Sequence, residues 1–585
     1  MVLALLLYAL VRPLNQVHLV VVADLLNGGL LLAVLARGAE LRLRLGRPGW
    51  SLLSVLAIAA PFRLANLGYS EFQGDEAKVV LRSMAVLQGV PDALIAHRKP
   101  PGEVLLNALF AGGLDAVTEL TGRLPFALAG LAGVLAIYHL GRTLFGPRAG
   151  LIAALLLAVN GYFVAFGRIL QYQGVELLLE TLALLCLFRF ARGSSSERGY
   201  AIVGALLMAG AGLVALSAVF LLPVAALALW RRLFGPARAH RWSLALWLWP
   251  LALLVPSALV AYGSTGAVAG ETLGLGTVWS YLGPRLGEDR PYFNFERFLL
   301  SVNHYTSGLY LLVVVGLGAL LVLADAVGGP VGSSRRSLGR GLALIWLIGP
   351  LVTHLLLVRI PWAHWREIFP ALALLVGAAA VGLYGRLGNR QLRGASVLAG
   401  GLFLALSGHY VYTAWLRPWP EYQLLYPLYR HPLDWANVNA PRGGSILGAT
   451  RHHGWKTVAE LIEQGVLPAD YASTDRPEAA WYLKRVRRCN EAASLYIRPP
   501  TTARDRRAIE QGETLPGFAL HGRVYVDGRP TLALLTREPP SGGPRVYQDA
   551  GHGHRFDREL ASPWWPVGRL YRPNVNETAE CPRAG

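Results

Sequence analysis

The stretch SEFQGDEAKVVLRS, residues 70–83, places two adjacent carboxylates, Asp75 and Glu76, directly after an apolar run at 51–67. A helix needs about 20 apolar residues, with roughly 17 to 25 workable, to cross a bilayer. Asp is a favoured N-cap and DEAK begins a helical pattern, so a helix is expected to start here with Asp75 as its cap. The acidic pair either caps this helix or performs chemistry at the membrane surface. The two roles are compatible, because a capped carboxylate is held rigidly.

The composition around this stretch is that of a polytopic membrane protein. The chain has 585 residues, of which 54% are hydrophobic and 16% charged, with a mean hydropathy of +0.40. Soluble domains have about 25% charged residues. The formal charge of +19 comes mainly from Arg in short clusters between apolar runs, where it indicates topology rather than nucleic-acid binding. The chain has few Lys residues relative to Arg, which is typical of proteins from GC-rich bacterial genomes. The expected location of such a membrane protein is the bacterial plasma membrane.

The apolar runs predict a mainly α-helical membrane bundle of about a dozen spanning helices. One run, 200–230, is too long for a single helix and has Arg at both ends, which predicts two short helices in a hairpin. The runs are 17–36, 51–67, 124–140, 150–166, 174–190, 200–230, 243–262, 308–325, 342–358, 367–385 and 395–414.

The Arg clusters predict which loops lie outside the cytoplasm. If the clusters are cytoplasmic, the loop 68–123 is outside, provided that 103–118 is an interfacial helix that does not cross. The loop 263–305 and all of 415–585 are then also extracytoplasmic. The clusters lie at 37–47, 142–148, 189–198, 231–241, 335–340 and 386–393.

The composition changes near residue 415, which predicts a transmembrane domain at 1–414 and a small extracytoplasmic α/β domain at 415–585. In the second domain, SILGAT (445–450) is typical of a strand and WKTVAELIEQG (455–465) of an amphipathic helix with a Gly stop. RVYVDGRPTLALLT (523–536) predicts two strands around a turn.

The three cysteines divide by location. Cys186 lies in a predicted span and is expected to be a small buried hydrophobe. Cys489 and Cys581 both lie in the predicted outer domain, where they either form a disulfide or remain thiols, because only an oxidising compartment allows the bond.

Several segments together resemble family 39 glycosyltransferases of the GT-C class, which include protein O-mannosyltransferases and the aminoarabinose transferases that modify lipid A. The likeness is strongest over 68–190, is weaker to 414, and extends to tails of some bacterial members at 452–489. The segments are QGDEA (73–77), HRKPPGEVLLNAL (97–109), the run from GRLPF to QYQG (122–174) and REIFPALALLVGAAA (366–380).

The resemblance implies an inverting transferase that uses a polyprenyl-phosphate sugar on the outer face of the membrane. Asp75 matches the catalytic carboxylate of the family, and Glu76 matches its neighbour. Lys99 matches the loop lysine before the Pro pair; it either pairs with a phosphate or reaches to lipid headgroups.

One departure from the family concerns the second outer loop, which is predicted at GRILQYQG (167–174). Many members have Arg-x-x-x-x-Asp there, whereas Arg168 is followed at that position by Gln173. An amide cannot replace a carboxylate as a base or strong metal ligand. Glu176, one turn further, either supplies the missing carboxylate or makes a polar contact within the bundle together with Glu180. Divalent-metal assistance is therefore left open.

Further candidates for substrate contacts lie on the predicted outer face. Lys99, Arg359 and Arg366 are cations that could clamp a departing phosphate, although Arg at helix ends also reaches to headgroups. His304 and Tyr305 precede a spanning run and either contact the donor or belong to an interfacial aromatic belt. The adjacent His452 and His453 lack further spaced ligands and suggest part of a fold or an acceptor surface.

The sequence favours an enzyme over two other classes of protein. The acceptor of the sugar is a lipid, a glycan or a protein, and the absence of a Gly-rich nucleotide loop favours a lipid donor. A lipid-linked glycan flippase or transporter also needs charges in a membrane cavity, but here the candidates cluster on one face and no Gly/Pro-broken helices pair across two halves. A non-catalytic scaffold leaves the Asp-Glu and Lys-Pro-Pro elements unexplained.

Overall fold

The chain folds into a helical bundle followed by a mixed α/β unit. The structure is a computed structural model, and the predicted spans at 17–36 and 243–262 lie outside the residues that it describes. It describes residues 49–90, 93, 99–193, 197–234, 266–268, 271–273, 283–287, 290–320, 323, 334–417, 447–484, 486–489 and 492–549.

Fourteen described helices make up the bundle and its outer loops. They are α1 (Trp50–Leu64), α2 (Gly74–Leu87), α3 (Gly102–Ala111), α4 (Glu119–Leu144), α5 (Pro147–Ala158), α6 (Gly161–Ala165), α7 (Gln173–Ala191), α8 (Glu197–Val214), α9 (Leu221–Phe234), α10 (Phe295–Tyr305), α11 (Gly308–Leu311), α12 (Ser334–Val352), α13 (Phe369–Arg386) and α14 (Arg390–Val411). Short π-helical turns extend three of them, at Leu312–Leu317, Thr353–Leu357 and Tyr412–Leu416.

Among the described residues, five helical segments are long and apolar enough to cross a membrane, or six if one bent pair counts as a span. The prediction of a membrane-spanning bundle is confirmed at this level, and the described residues alone do not reach the predicted number of about a dozen. The helix α7 is long enough but contains Glu176, Glu180 and Arg189. The five are Glu119–Leu144, Leu216–Phe234, Ser337–Leu357, Ala363–Arg386 and Arg390–Leu416, and the pair is Pro147–Ala158 with Gly161–Arg168, bent by 66°.

Two predictions about individual helices compare directly with the structure. The run 200–230 does form two helices, because the chain leaves helical geometry at Ala215, which has extended backbone angles. The interfacial helix expected at 103–118 is shorter, from Gly102 to Ala111, and the chain turns at Gly112. It packs on α2 within the outer loop.

Small residues let the bundle helices approach closely, as is usual in membrane proteins. A Cβ added to Gly141 of α4 would lie 2.7 Å from the Cα of Gly150 in α5. A Cβ added to Gly161 would overlap the carbonyl oxygen of Tyr305. Tyr305 in turn stacks between Tyr162 and Trp415, with ring centroids 4.2 and 5.1 Å apart.

The C-terminal unit is built on a six-stranded mixed sheet with three helices. A separate antiparallel pair, β1 (Gly266–Val268) and β2 (Glu271–Leu273), lies in the predicted outer loop 263–305. The strands of the sheet are β3 (Asp470–Ser473), β4 (Arg487–Arg488), β5 (Leu495–Arg498), β6 (Ala519–Val526), β7 (Arg529–Thr536) and β8 (Arg545–Gln548), and the helices are α15 (Trp455–Glu463), α16 (Arg476–Tyr482) and α17 (Ala503–Gln511). The order of the strands in the sheet is β4-β3-β5-β7-β6-β8.

Two of the three short motifs predicted in this unit are present within the described residues, and the third is not. The helix at 455–465 and the two strands around Asp527–Gly528 are present, and both turn residues have positive φ, at 50° and 75°. The strand predicted at 445–450 is wrong over its described part, 447–450. Gly448 has φ of 88° and begins no strand, because its backbone turns to contact the loop before α2.

Two of the three cysteines lie within the described residues. Cys186 is buried and free, as predicted. Cys489 is disulfide-bonded, which is one of the two alternatives left open for it, and Cys581 lies outside the described residues.

Candidate active site

Asp75 lies in the first turn of α2 with its carboxylate partly open to solvent. Its side chain is 31% exposed, and its two oxygens face Lys78 at 3.3 Å and Lys99 at 3.7 Å. The expectation that Asp75 caps the helix is wrong, because α2 begins at Gly74 with Gln73 as its N-cap. The carboxylate of Asp75 is therefore not used in capping.

The charges around Asp75 favour its ionised form. Burial alone would raise the pKa of this carboxyl, but the positive charges of Lys99 and then Lys78 outweigh burial and lower the pKa to about 2. The contact between Asp75 and Lys99 joins two of the predicted site residues, which are 24 positions apart in the sequence. Asp75 is therefore a carboxylate at neutral pH.

Glu76 has a different environment from its neighbour. It is fully buried and forms an ion pair with Arg123 of α4, with N···O distances of 2.7 and 2.8 Å. Its two oxygens also accept hydrogen bonds from the backbone N–H groups of Leu170 and Gln73. These four contacts leave no room for a substrate, so Glu76, predicted to be catalytic with Asp75, is better described as an anchor.

Arg123 extends this anchor to the loop between α1 and α2. Its guanidinium donates to the carbonyl oxygens of Leu67, Ser70 and Glu71, at 3.0, 2.6 and 2.9 Å. The same guanidinium lies over the ring of Phe72, 5.4 Å from its centroid. One buried Arg thus fixes the carbonyls of the loop that leads to Asp75.

The second outer loop lies against the first. Arg168 is buried and donates to the carbonyl oxygen of Phe62 at 3.1 Å. It lines a narrow cleft together with Ser70, Gln73 and Trp415. Gln173, the position at which the family has Asp, is buried and donates to the side chain of Gln171 at 3.0 Å.

Glu176 and Arg366 form a second buried ion pair, with an N···O distance of 2.6 Å. The hydroxyl of Ser217 also donates to Glu176. Arg366 lies over the ring of Tyr172, 5.4 Å from its centroid, which brings it to the second outer loop. Glu176, considered as a replacement for the missing carboxylate, is therefore already neutralised by a cation.

A group of titratable side chains continues from Arg366. Glu367 contacts His354 at 2.9 Å and His364 at 3.1 Å. Glu180, one turn beyond Glu176, is also buried. Among the residues that the structure describes, no three His, Cys, Asp or Glu side chains are arranged to hold a metal ion.

Three other predicted site residues have observed contacts with groups other than Asp75. Tyr305 is buried in the aromatic stack with Tyr162 and Trp415, which assigns it to the core of the bundle. The backbone of its neighbour His304 accepts a hydrogen bond from the hydroxyl of Tyr410. Arg359 is exposed, and its backbone N–H donates to the carbonyl of Arg285.

The sequence analysis did not single out Arg123, Glu71 or Glu119, although all three hold the site together. Arg123 was detectable, because an ionisable residue within an apolar run of a membrane protein is by default a functional candidate. Glu71 lies next to the Asp-Glu pair in the sequence but has no motif of its own. Its role depends on contacts with residues almost 400 positions away.

A comparison with protein families agrees with the motifs. Residues 98–267 match the family model described as dolichyl-phosphate-mannose-protein mannosyltransferase. The resemblance that the motifs indicated is thereby confirmed over this part of the chain, and it supports glycosyltransferase activity in general. No curated protein matches the chain.

Solved structures with a similar course of the chain have low sequence identity to it. The ArnT of Cupriavidus metallidurans bound to undecaprenyl phosphate is 17% identical, with a TM-score of 0.45, over 86% of this chain and 100% of that one. The Archaeoglobus fulgidus oligosaccharyltransferase is 16% identical, with a TM-score of 0.47, over 76% and 64%. The mycobacterial arabinofuranosyltransferase AftD is 14% identical, with a TM-score of 0.43, over 85% and 42%.

Proposed function

We propose that the protein is an inverting glycosyltransferase that moves a sugar from a polyprenyl-phosphate donor to an acceptor hydroxyl, with Asp75 as the general base. The observation that carries this proposal is the environment of Asp75. Its carboxylate is partly exposed, is kept ionised by Lys99 and Lys78, and lies at the start of a helix whose next residue is locked to Arg123.

The reaction requires few protein groups beyond the Asp75 carboxylate and its neighbouring lysines. The acceptor oxygen attacks the anomeric carbon as its proton passes to Asp75, and the bond from that carbon to the phosphate oxygen breaks. The electron pair leaves with polyprenyl phosphate, whose added negative charge requires a cation. Attack from the face opposite the phosphate inverts the anomeric centre.

Lys99 is the cation that we assign to this phosphate. In the structure it lies 3.7 Å from Asp75, with 24% of its side chain exposed. The donor phosphodiester carries one negative charge, like a carboxylate, and gains a second as the sugar leaves, so a donor bound beside Lys99 would draw the ammonium away from Asp75. Because Lys99 contributes to the low pKa of Asp75, its movement would raise this pKa and make Asp75 a stronger base as the donor binds.

The buried cations around the second outer loop support a site for an anionic donor. Arg168 lines the cleft beside Gln73, and Arg366 lies over Tyr172, four residues further along the chain. The charge of Arg366 is already balanced by Glu176, so Arg168 is the fixed charge that can stabilise charge developing during the reaction without having to reorient. Gln173 follows Tyr172 directly in the sequence. No step of the proposal uses a metal ion.

The same proposal includes the orientation and the partners of the protein. From the Arg clusters we infer that Asp75 and residues 415–585 lie on the outer face of a membrane, and that this membrane is a bacterial plasma membrane. The donor then arrives from the bilayer and the acceptor, a lipid, a glycan or a protein, from the aqueous side.

The experiment compares the purified protein with Asp75→Asn in nanodiscs. Polyprenyl-phosphate hexoses and pentoses are offered with mixed lipid, glycan and peptide acceptors, and the release of free polyprenyl phosphate is measured. General-base assistance contributes about 10²- to 10⁴-fold, so the variant should lose that factor in kcat.

Asp115→Asn is the matched control, because Asp115 is an exposed carboxylate in the same outer loop. It should retain wild-type turnover. Equal product formation by wild type and Asp75→Asn would refute the assignment of the base. In proteoliposomes, which have a separate lumen, movement of donor across the bilayer with no release of polyprenyl phosphate would favour the flippase instead.

A further inference from the structure

The loop that leads to Asp75 is hydrogen-bonded to the C-terminal unit along its whole length. This loop, residues 69–73, follows α1 and ends at the N-cap of α2. Its contacts involve both backbone and side-chain atoms of each partner. They are Tyr69 O with His452 Nδ1 (2.9 Å), Tyr69 Oη with Asp527 Oδ2 (2.7 Å), Ser70 Oγ with Arg451 N (3.2 Å), Glu71 N with Arg451 O (2.8 Å), Gln73 Nε2 with Ala449 O (2.6 Å) and Gln73 Oε1 with Gly448 N (3.0 Å).

Glu71 is at the centre of this contact. Its side chain is 5% exposed, and its two oxygens accept hydrogen bonds from the backbone N–H groups of His453, at 2.8 Å, and Trp455, at 2.7 Å. Trp455 is the first residue of α15, whose initial N–H groups have no partner within the helix. A carboxylate from the outer loop thus caps a helix of the C-terminal unit, where negative charge is also favoured by the helix dipole.

The C-terminal unit supports the outer loop in return. The hydroxyl of Tyr482 accepts a hydrogen bond from the backbone N–H of Phe72, at 2.7 Å, and donates to Glu119, at 2.6 Å. Glu119 also forms a buried ion pair with Lys456, at 2.9 Å. Glu119 begins α4, the helix that carries Arg123 one turn later, so this second set of contacts joins the anchor of Glu76.

Apolar packing makes the contact continuous. Phe72, together with side chains of α2 and α3, belongs to one buried cluster with residues of α15, α16 and the sheet. The rings of Phe72 and Trp481 meet edge to face with centroids 5.7 Å apart. The carboxyl of Glu478 lies against Gly74, where an added Cβ would be 3.2 Å from its Oε1. The outer loop and the C-terminal unit therefore share a single core.

We propose that Glu71 is a positioning residue for the reaction, and that through it the C-terminal unit forms part of the catalytic unit by fixing the backbone before Asp75. This inference rests on the proposed role of Asp75 as the base. Asp75 lies four residues after Glu71, and a reacting group displaced by about 1 Å can lose about 10²-fold in rate. Glu71 does not touch the substrate and acts only by holding the loop in place.

The test uses the full-length protein with Glu71→Gln, which keeps the size of the side chain and removes its charge. The new amide turns an N–H₂ group towards one of the two backbone donors, so one hydrogen bond is replaced by a repulsive contact. We expect backbone amides at 72–80 to exchange with deuterium at least 10-fold faster. We expect kcat to fall about 10- to 100-fold, with the KM for the donor changed less than about threefold.

Two further variants separate positioning from a general loss of structure. Tyr482→Phe keeps the ring and removes the hydroxyl that holds the backbone of Phe72 from the other side. It should show the effects expected of Glu71→Gln in milder form, and it serves as the test if Glu71→Gln does not fold. Glu538→Gln changes an exposed carboxylate of the same unit and should leave both measurements unchanged.

The outcomes distinguish this inference from the proposed function. Wild-type kcat in Glu71→Gln, beside an inactive Asp75→Asn, would overturn the positioning role and leave the base in place. Unchanged exchange at 72–80 in both Glu71→Gln and Tyr482→Phe would overturn the docking itself. Faster exchange in a protein whose wild type transfers no sugar would retain the docking and reject the proposed chemistry.

Discussion

Glu76→Gln should destabilise the outer loop severely, although the substitution changes one charge and almost no volume. Glu76 is fully buried and Arg123 is 2% exposed, so neither charge is screened by water. The variant leaves Arg123 charged and buried, with three backbone carbonyls as its remaining acceptors. Removing one partner of a buried ion pair costs about 3 to 5 kcal/mol. At about 1.4 kcal/mol per tenfold change, the loop should open roughly 10²- to 4 × 10³-fold more often.

Native-state hydrogen exchange at residues 70–80 measures this opening directly, because local unfolding sets the exchange of protected amides. The pair is then isolated with Arg123→Met in a double-mutant cycle. Arg123→Met removes the charge but also leaves the carbonyls of Leu67, Ser70 and Glu71 without their donor, at a cost of about 1 to 3 kcal/mol for each that stays buried.

In the Arg123→Met background, Glu76→Gln no longer leaves an unpaired buried cation. We therefore expect it to add less than about 1 kcal/mol there, compared with about 3 to 5 kcal/mol in the wild type. Asp115→Asn, in the same outer loop, should have no effect in either background. Equal costs of Glu76→Gln with and without Arg123 would show that the ion pair does not hold the loop, and the argument would fail.

Two further predictions concern protonation around the site. Lys99→Met should raise the pKa of Asp75 from about 2 towards the usual range, because it removes the largest of the interactions that oppose burial and leaves only Lys78 and the hydrogen bond with Gln171. An infrared titration with Asp75→Asn as reference measures this, and an unchanged carboxyl band would contradict the pairing. Burial lowers the pKa of His452, but the hydrogen bond to Asp549 and the charge of Glu71 outweigh it and raise this pKa from 6.5 to about 9. The stability that His452 contributes is therefore fully present below pH 6.5 and is lost as the pH rises to about 9. The Tm of wild type should thus fall more over this window than the Tm of His452→Gln. Parallel curves of Tm against pH for the two proteins would exclude the effect.

The sequence was sufficient for the features that depend on local pattern. The apolar run at 200–230 predicted two helices because no single helix of that length fits a bilayer, and the break occurs at Ala215. The Asp527–Gly528 pair predicted a hairpin because both residues tolerate the positive φ that its turn requires. Asp75 and Lys99 were both identified as site residues from the order of motifs in one predicted outer loop, and their contact is a finding of the structure.

The pattern was insufficient where a role depends on contacts from distant parts of the chain. Tyr305 had the composition and position of an interfacial aromatic, but the close approach of Gly161 places it inside the bundle. Residues 447–450 have the composition of a strand, yet their hydrogen bonds go to Gln73 instead of a sheet. In each case a long-range partner, which no local pattern encodes, decides the structure.

The adjacent carboxylates at 75 and 76 have different roles because successive residues of a helix point about 100° apart. At the start of α2, one direction leads into the junction of α4 with the second outer loop, where Arg123 and Leu170 hold Glu76. The other leads to the partly exposed side, where Asp75 meets two lysines. The buried carboxylate fixes the rotation of the helix about its axis, and this rotation sets the direction of the exposed one. An acidic pair at a membrane surface can thus supply both a reagent and its alignment within a single turn.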